Sequence, residues 1–153
     1  MMVYRFCRQE YKFDLSGNGS RMYGGRWNHA GLAAVYTSKS ISLGLLEVLV
    51  NAKDLSSLQQ LALMTIHIPD RLTTSVYTIN TLDDGWHKNF NFSQNMGSKF
   101  LQQKDYLMFE CPSAVVFSEN NIMLNPMHAL YDQLTIETAT NFIFDERLFK
   151  KVI

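Results

Sequence analysis

The sequence predicts an α+β fold, a single domain in which a few helices pack on a mixed, mainly antiparallel sheet. Predicted strands outnumber predicted helices and do not alternate with them regularly, which disfavours a doubly wound parallel sheet. Hydrophobic residues make up 46% of the 153 residues and charged residues 18%, a composition typical of globular proteins. Because no linker-like tract divides the chain, we expect one domain over residues 1–153.

The first 37 residues predict two strands with a loop between them. Residues 2–6 form a short apolar and aromatic run that is typical of a strand. Residues 14–25 are rich in glycine and predict the loop, and residues 33–37 predict a buried strand. The Gly-Asn-Gly-Ser stretch at residues 17–20 looks like a dinucleotide loop. It lacks the third glycine and the strand–loop–helix context, so it predicts no Rossmann domain.

An apolar helix follows the second strand. Ser38 or Ser40 offers the N-cap, and the helix is expected to end near Asn51. Its apolar side chains cover two faces, so we expect it to be packed on two sides. Glu47 is its only charge.

The remainder of the chain predicts mostly short strands. Residues 61–68 and 73–79 are separated by a Pro69-Asp70 turn and are expected to pair with each other. Residues 93–103 predict a further helix. Short strand candidates follow at residues 114–117, 122–124, 134–137 and 141–144.

Composition argues against several classes of function. The formal net charge is +0 and the charges are scattered, which argues against direct binding of nucleic acid or of an anionic membrane surface. The longest apolar stretch, residues 41–50, is far shorter than the ~20 residues needed to span a bilayer. The N-terminus does not predict a secretion signal, so we expect a cytoplasmic protein.

Metal and disulfide chemistry also lack support in the sequence. Cys7 and Cys111 lie far apart and outside any Cys-x-x-Cys spacing. No two of the four histidines share metal-ligand spacing on one element. We therefore expect neither a disulfide framework nor a metal site.

Arg26 directly follows two glycines, Gly24 and Gly25. Glycines allow backbone N–H groups to approach a ligand closely, and a guanidinium group binds phosphate or pyrophosphate. The alternative is a tight turn in which Arg26 pairs with a structural carboxylate.

Glu47 requires compensation, because burying an unpaired carboxylate on an apolar helix costs several kcal/mol. One interpretation is a salt bridge to Arg5, Arg21 or Arg26. The functional interpretation places Glu47 at a cleft, where it faces positive charge that develops on a ribose, as in glycoside hydrolysis.

Three further side chains are weaker candidates. Tyr36 could offer its ring to a base or its hydroxyl to a hydrogen bond, although a single aromatic residue is more often core. Ser113 could contact a ligand or merely cap a turn. His128 follows Asn125-Pro126-Met127 in a turn after a predicted strand and is a pocket candidate, with a structural role as its alternative.

The ordered set of motifs resembles the RES-domain family over essentially the whole chain. The strongest part is Gly24-Gly25-Arg26-Trp27-Asn28, followed by a tyrosine and then a Leu-Glu helix. The other matching pieces are Val3-Tyr4-Arg5, Val35-Tyr36-Thr37, Leu45-Leu46-Glu47, Pro112-Ser113-Ala114-Val115, Asn125-Pro126 and Phe144-Asp145-Glu146-Arg147-Leu148. One departure is visible, since the family often has a His-Pro pair where this chain has His128-Ala129.

The resemblance implies a fold like that of ADP-ribosyltransferase toxins and a toxin that breaks down NAD+ by hydrolysis or phosphorolysis. The family's Arg, Glu and Ser correspond to Arg26, Glu47 and Ser113, and its pocket tyrosine to Tyr36. NAD+ is then the substrate, with inorganic phosphate as a possible co-substrate. The resemblance also implies an antitoxin with an Xre-type helix-turn-helix that covers the active site.

The resulting hypothesis is that Arg26, with backbone N–H groups near Gly24 and Gly25, grips the pyrophosphate. Tyr36 packs on the nicotinamide, Glu47 acts on the ribose, and Ser113 is a polar contact. Asn28 and His128 complete the expected binding set. Two alternatives stay open, a mono-ADP-ribosyltransferase that modifies a protein and a non-catalytic partner-binding module.

Overall fold

Within residues 1–149, which the computed structural model describes, seven strands form one sheet and four helices pack around it. The strands are β1 (Met2–Arg8), β2 (Val35–Ser38), β3 (Leu61–His67), β4 (Val76–Thr78), β5 (Met108–Pro112), β6 (Asn120–Leu124) and β7 (Thr135–Asn141). The helices are α1 (Asn18–Tyr23), α2 (Ile41–Asn51), α3 (Leu55–Gln59) and α4 (Phe90–Gln103). None of these helices has the length and apolar character that crossing a lipid bilayer requires.

The sheet has the strand order β4-β5-β6-β2-β1-β3-β7. Only β4 and β5 run parallel, and the other neighbouring strands of the described chain pair in the antiparallel sense. The predicted α+β class with a mixed, mainly antiparallel sheet is therefore confirmed.

The sheet consists of two halves that are joined at one point. β1 pairs with β3 along all of β3 but with β2 only at Tyr4 and Ser38. β2 in turn pairs with β6 along its whole length. The half made of β4, β5, β6 and β2 thus meets the half made of β1, β3 and β7 through a single residue pair. The cleft described below lies at this junction.

Each face of the sheet buries its own apolar cluster. Met108 and Phe109 are adjacent in β5 but belong to different clusters, because side chains alternate between the two faces of a strand. One cluster joins β1, β3 and the chain after β6. The other contains Trp27 and Met123 and is covered by α4. Burial of these side chains supplies the main driving force for folding.

Helix α2 begins where the sequence predicts it. The Ser40 side chain accepts a hydrogen bond from the Leu43 amide, so Ser40 is the N-cap of the two candidates. The expectation that α2 is packed on two sides is wrong. Its buried residues are Leu43 and Gly44, whereas Leu46 is 43% and Val50 65% exposed.

The expected pairing of residues 61–68 with residues 73–79 is wrong. β3 has β1 along one edge and β7 along the other, so neither edge is left for β4. β4 instead forms the edge of the opposite half-sheet, beside β5. A short turn between two strands predicts pairing only when their facing edges are not already occupied.

Three other assignments also differ from the structure. Residues 114–117 do not form a strand, because the Ser113 hydroxyl accepts hydrogen bonds from the Val115 and Val116 amides and folds them into a turn. The strand candidates at 134–137 and 141–144 are replaced by one strand, β7, and the chain after it packs Phe142 against Phe6, with ring centroids 4.9 Å apart. The expected loop at residues 14–25 contains the short helix α1.

Gly97 allows α4 to lie directly against Trp27. A Cβ at Gly97 would lie 1.9 Å from the Trp27 carbonyl oxygen.

We expect Gly97→Ala to lower the free energy of unfolding in a denaturant titration by about 1 to 3 kcal/mol, because α4 must move away from Trp27. Gly19→Ala is the matched control, since a Cβ there meets nothing within 4 Å. Equal stability of the two variants would contradict the close approach.

Candidate active site

A cleft of about 850 Å³ lies at the junction of β1, β2 and α2. Its volume is in the range of sites that bind cofactors and other small molecules. Three charged side chains line it: Arg5, Arg26 and Glu47. None of the three takes part in an ion pair within the described part of the chain. The lining therefore contains two positively charged side chains and one negatively charged side chain, and no direct ion pair joins them.

Glu47 is held by neutral hydrogen-bond donors. The Ser113 hydroxyl and the Asn121 side-chain amide both donate to Glu47 Oε1, each at 2.7 Å. Glu47 Oε2 accepts no hydrogen bond from residues 1–149 and remains available to a ligand. The alternative of a salt bridge to a nearby arginine is wrong for these residues.

Arg26 is oriented by the segment that leads into α4. Its Nη1 donates to the His87 carbonyl oxygen at 3.0 Å, and its guanidinium lies over the Phe90 ring, 4.6 Å from the centroid. A guanidinium has five N–H donors, so these contacts fix its position and leave donors for an anion. The alternative in which Arg26 pairs with a structural carboxylate is wrong for the described chain.

The loop that carries Arg26 is fastened to α4 by its backbone. The Ser93 hydroxyl donates to the Arg26 carbonyl oxygen at 2.7 Å, and the Gln94 amide donates to the Gly25 carbonyl oxygen at 2.9 Å. Trp27, next in the chain, is 2% exposed and packs edge-on against Phe109. One face of α4 and a buried tryptophan thus fix the position from which Arg26 extends.

Tyr36 presents its ring to the cleft, and its hydroxyl is used inside the protein. The hydroxyl donates to Asn28 Oδ1 at 2.6 Å and accepts from the Trp27 amide at 3.0 Å. Burial raises the pKa of the Tyr36 phenol well above its ordinary value, so the hydroxyl stays protonated. Asn28 is fully buried and does not line the cleft, and its side chain orients Tyr36 and the surrounding loop.

Gly24 and Gly25 line the cleft, but their N–H groups are already bonded. The Gly24 amide donates to the Ser20 carbonyl oxygen, and the Gly25 amide donates to the Asn28 carbonyl oxygen. These two amides are therefore not free to donate to a ligand, and binding of a pyrophosphate by other N–H groups near them stays a prediction. Gly25 is required for another reason, since a Cβ there would lie 2.8 Å from the Tyr36 hydroxyl.

Ser113 lies behind Glu47 and is 1% exposed. Its hydroxyl hydrogen points to Glu47, while its oxygen accepts from two amides of the turn that follows. The hydroxyl of Ser113 thus orients the carboxylate of Glu47, and its predicted polar contact with a ligand stays a prediction.

His128 does not belong to the cleft. β6 meets the cleft at Asn121, and the turn that contains His128 follows Leu124 at the other end of that strand. His128 Nδ1 accepts a hydrogen bond from the Leu130 amide, which stabilises this turn. The expectation that His128 lies in the pocket is wrong for this cleft, because a turn after a strand can lie at either end of the sheet.

Asn121 and Phe90 were not predicted as site residues from the sequence, and Ser38 was predicted only as a helix cap. Ser38 Oγ donates to Asn121 Oδ1 at 2.7 Å, and Asn121 in turn donates to Glu47. Asn121 and Glu47 are 74 residues apart, so no local pattern relates them. Phe90 lies 64 positions after Arg26, and nothing in the sequence predicted their contact.

Cys111 lines the cleft but is not suited to nucleophilic chemistry. Burial raises the pKa of its thiol to about 12, and the nearby charge of Glu47 adds to this effect. The thiolate is therefore absent at neutral pH. Within residues 1–149 no three His, Cys, Asp or Glu side chains come close enough together to hold a metal ion.

The fold and the cleft define a class of protein. It is an α+β domain whose cleft is lined by a carboxylate, guanidinium groups and an aromatic ring, a lining typical of small-molecule sites. Residues 2–145 match the RES domain family. The chain belongs to this family.

Relatives cover nearly the whole chain. Toxin Res of Yersinia enterocolitica is 35% identical over 97% of this chain and 99% of that protein. The Prs ADP-ribosylating toxin of a Sphingobium species is 31% identical over 90% of this chain and 88% of that protein. A chain in the crystal structure of the Mycobacterium tuberculosis MbcT–MbcA toxin–antitoxin complex matches 92% of this chain and 83% of its own length, with a TM-score of 0.72 and 21% identity. This last match shows a shared fold.

The Tyr36 hydroxyl should contribute to stability. Tyr36→Phe keeps the ring but leaves Asn28 Oδ1 without its donor and the Trp27 amide without its acceptor. We expect the free energy of unfolding to fall by about 1 to 3 kcal/mol. Tyr11→Phe is the control, because Tyr11 is 54% exposed. If both variants unfold at the same denaturant concentration as the wild type, the Tyr36 contacts contribute nothing.

Proposed function

We propose that this protein is the toxin of a toxin–antitoxin pair and acts in the cytoplasm by cleaving the nicotinamide–ribose bond of NAD+. The observation that carries the proposal is Glu47, whose Oε2 has no hydrogen-bond partner among the described residues. Glu47 shares its cleft with two guanidinium groups that form no ion pair within the described chain. The names of the Yersinia and Sphingobium relatives, a toxin and an ADP-ribosylating toxin, support it. ADP-ribosylation takes its ADP-ribose from NAD+ by breaking this same bond.

Charge and shape suit the dinucleotide. The pyrophosphate of NAD+ is anionic, and Arg26 offers it a planar set of donors beside Phe90. Arg5 adds a second cation to the lining. The Tyr36 ring provides an aromatic face for the nicotinamide.

Glu47 acts on the ribose in this proposal. Its Oε2 accepts a hydrogen bond from the 2′-hydroxyl and stabilises the positive charge that grows on the sugar as the C1′–N bond breaks. The electron pair of that bond leaves with nicotinamide, which departs as a neutral molecule. An oxygen of the acceptor then bonds to this carbon of the sugar. Water as acceptor gives ADP-ribose and releases a proton, whereas inorganic phosphate gives ADP-ribose phosphorylated at the same carbon.

A second candidate keeps the site and changes the acceptor. The Sphingobium relative is named as an ADP-ribosylating toxin, which favours transfer of ADP-ribose to a protein. Labelled NAD+ distinguishes the candidates in a cell lysate. Label on a macromolecule supports transfer, whereas free ADP-ribose or its phosphorylated form supports degradation, and dependence on added phosphate separates phosphorolysis from hydrolysis.

An antitoxin is the expected partner, because uncontrolled loss of NAD+ would kill the host cell. The structural relative from M. tuberculosis comes from a toxin–antitoxin complex. We propose an Xre-type helix-turn-helix antitoxin that covers the mouth of the cleft. Tyr23 is 82% exposed and lines the cleft, so it offers an aromatic contact at the rim.

Substitution of Glu47 and substitution of Arg26 should impair turnover in different ways. We expect Glu47→Gln to lower kcat for nicotinamide release by about 100-fold or more, because the amide cannot stabilise positive charge. Arg26→Ala should mainly raise KM, because it removes a contact with the pyrophosphate. Purified protein, NAD+ and chromatography of released nicotinamide provide the measurement.

The matched controls are Glu119→Gln and Arg21→Ala. Both residues are exposed and lie outside the cleft. They should behave as the wild type does. Equal activity in Glu47→Gln, Arg26→Ala and the wild type would remove these two residues from the mechanism.

Covering of the cleft by an antitoxin can be tested at its rim. Tyr23→Glu should weaken the affinity for a co-expressed helix-turn-helix protein from the adjacent gene by about 10-fold or more, because it places a charge in an aromatic contact. Ile143→Glu is the control, since Ile143 is 91% exposed and does not line the cleft. Titration calorimetry measures both affinities. A larger effect of Ile143→Glu would locate the antitoxin elsewhere.

A further inference from the structure

Asn121 is the central member of a chain of hydrogen bonds that ends at Glu47. Asn121 of β6 lies opposite Ser38 of β2 in the sheet. Ser38 Oγ donates to Asn121 Oδ1 at 2.7 Å, and Asn121 Nδ2 donates to Glu47 Oε1 at 2.7 Å. An ionised carboxylate can only accept, so the amide of Asn121 must turn its nitrogen to Glu47. The Ser38 hydroxyl favours this same orientation by donating to the amide oxygen.

The two donors that bind Glu47, Ser113 and Asn121, are both uncharged, although a lysine stands next to Ser38 in the sequence. Lys39 directly follows Ser38, and its ammonium group is paired with Glu110. A cation bound to Glu47 would offset the negative charge that a developing positive sugar needs. Neutral donors restrain the carboxylate and leave that charge in place.

Two donors on one oxygen also restrict how the carboxylate can turn. Ser113 and Asn121 reach Glu47 Oε1 from separate segments, the end of β5 and the start of β6. With Oε1 fixed by both, rotation of the carboxylate would break two hydrogen bonds to a charged group. The remaining oxygen is thereby held in one place before a ligand arrives.

We propose that Asn121, oriented by Ser38, is a positioning residue that holds Glu47 with Oε2 directed to the ribose of the bound dinucleotide. This inference rests on the proposed function. Asn121 acts through Glu47 and takes no part in the bonds that form or break. Its loss therefore removes stabilisation of the transition state more than it removes affinity for NAD+.

The first measurement is steady-state release of nicotinamide by Asn121→Leu. We expect kcat to fall by about 10- to 100-fold with KM changed less than about 3-fold, since one hydrogen bond to a charged group is lost. Ser38→Ala should lower kcat by about 3- to 10-fold, because the amide of Asn121 can then turn over. Asn120→Leu is the matched control, since Asn120 is exposed and donates to Glu110, and it should leave both constants unchanged.

The second measurement combines substitutions. If Asn121 acts through Glu47, adding Asn121→Leu to Glu47→Gln changes kcat by less than about 2-fold. Asn121→Gln, which keeps an amide donor, should recover part of the activity. Asn121→Asp keeps the side-chain shape without the donor and should be at least as impaired as Asn121→Leu, which covers the case in which Asn121→Leu does not fold.

The outcomes separate this inference from the function on which it rests. If the wild-type protein releases no nicotinamide, the proposed function fails and this inference fails with it. If Glu47→Gln is inactive while Asn121→Leu and Asn121→Asp are fully active, the positioning role alone is overturned. An equal loss on Asn121→Leu in both backgrounds, or a change in KM alone, also overturns it.

Discussion

A negatively charged carboxylate on an otherwise apolar helix needs hydrogen-bond donors, and the donors to Glu47 link α2 to distant parts of the chain. A buried, unpartnered carboxylate would cost several kcal/mol. α2 supplies no partner from its own side chains, so the donors come from Ser113, directly after β5, and from Asn121 in β6. These two hydrogen bonds thus join α2 to both β5 and β6 at the cleft.

The cationic side of the cleft is built by a separate part of the chain. The backbone around Arg26 is fastened to α4, and α4 can approach only because Gly97 has no side chain. Phe90 at the start of α4 then lies beneath the guanidinium. One helix thus carries the carboxylate and another supports the arginine, and the sheet sets the distance between them. Such fixed placement of opposite charges is what a polar transition state requires.

Local patterns predicted the features that local physics determines. The N-cap and extent of α2, the strands around β1 and β3, and the mixed sheet follow from capping, periodicity and β-branched composition. Glu47 could be predicted as a site residue because an unpaired charge on an apolar helix costs free energy. Arg26 could be predicted because it follows two glycines, and the structure shows that Gly25 is also required for close packing against Tyr36.

What the sequence did not predict depends on contacts between distant residues. The neighbours of β4, the hydrogen bond from Asn121 to Glu47 and the position of His128 each depend on which strand edges meet. The exposed outer face of α2 belongs to the same group, since hydrophobicity shows that a side chain favours burial but not whether anything covers it. Asn28 was predicted to bind the ligand because it belongs to the Gly-Gly-Arg-Trp-Asn motif. Its side chain instead forms hydrogen bonds with Ser20 and Tyr36 inside the protein.

The long separation between Glu47 and its partners has a consequence for protein synthesis. Ser113 and Asn121 follow Glu47 by 66 and 74 residues. A ribosome that has released only the first 110 residues holds a chain with Arg26, Tyr36 and Glu47 but with neither donor for the carboxylate. The set of side chains that holds Glu47 is thus complete only when the last third of the chain has been synthesised.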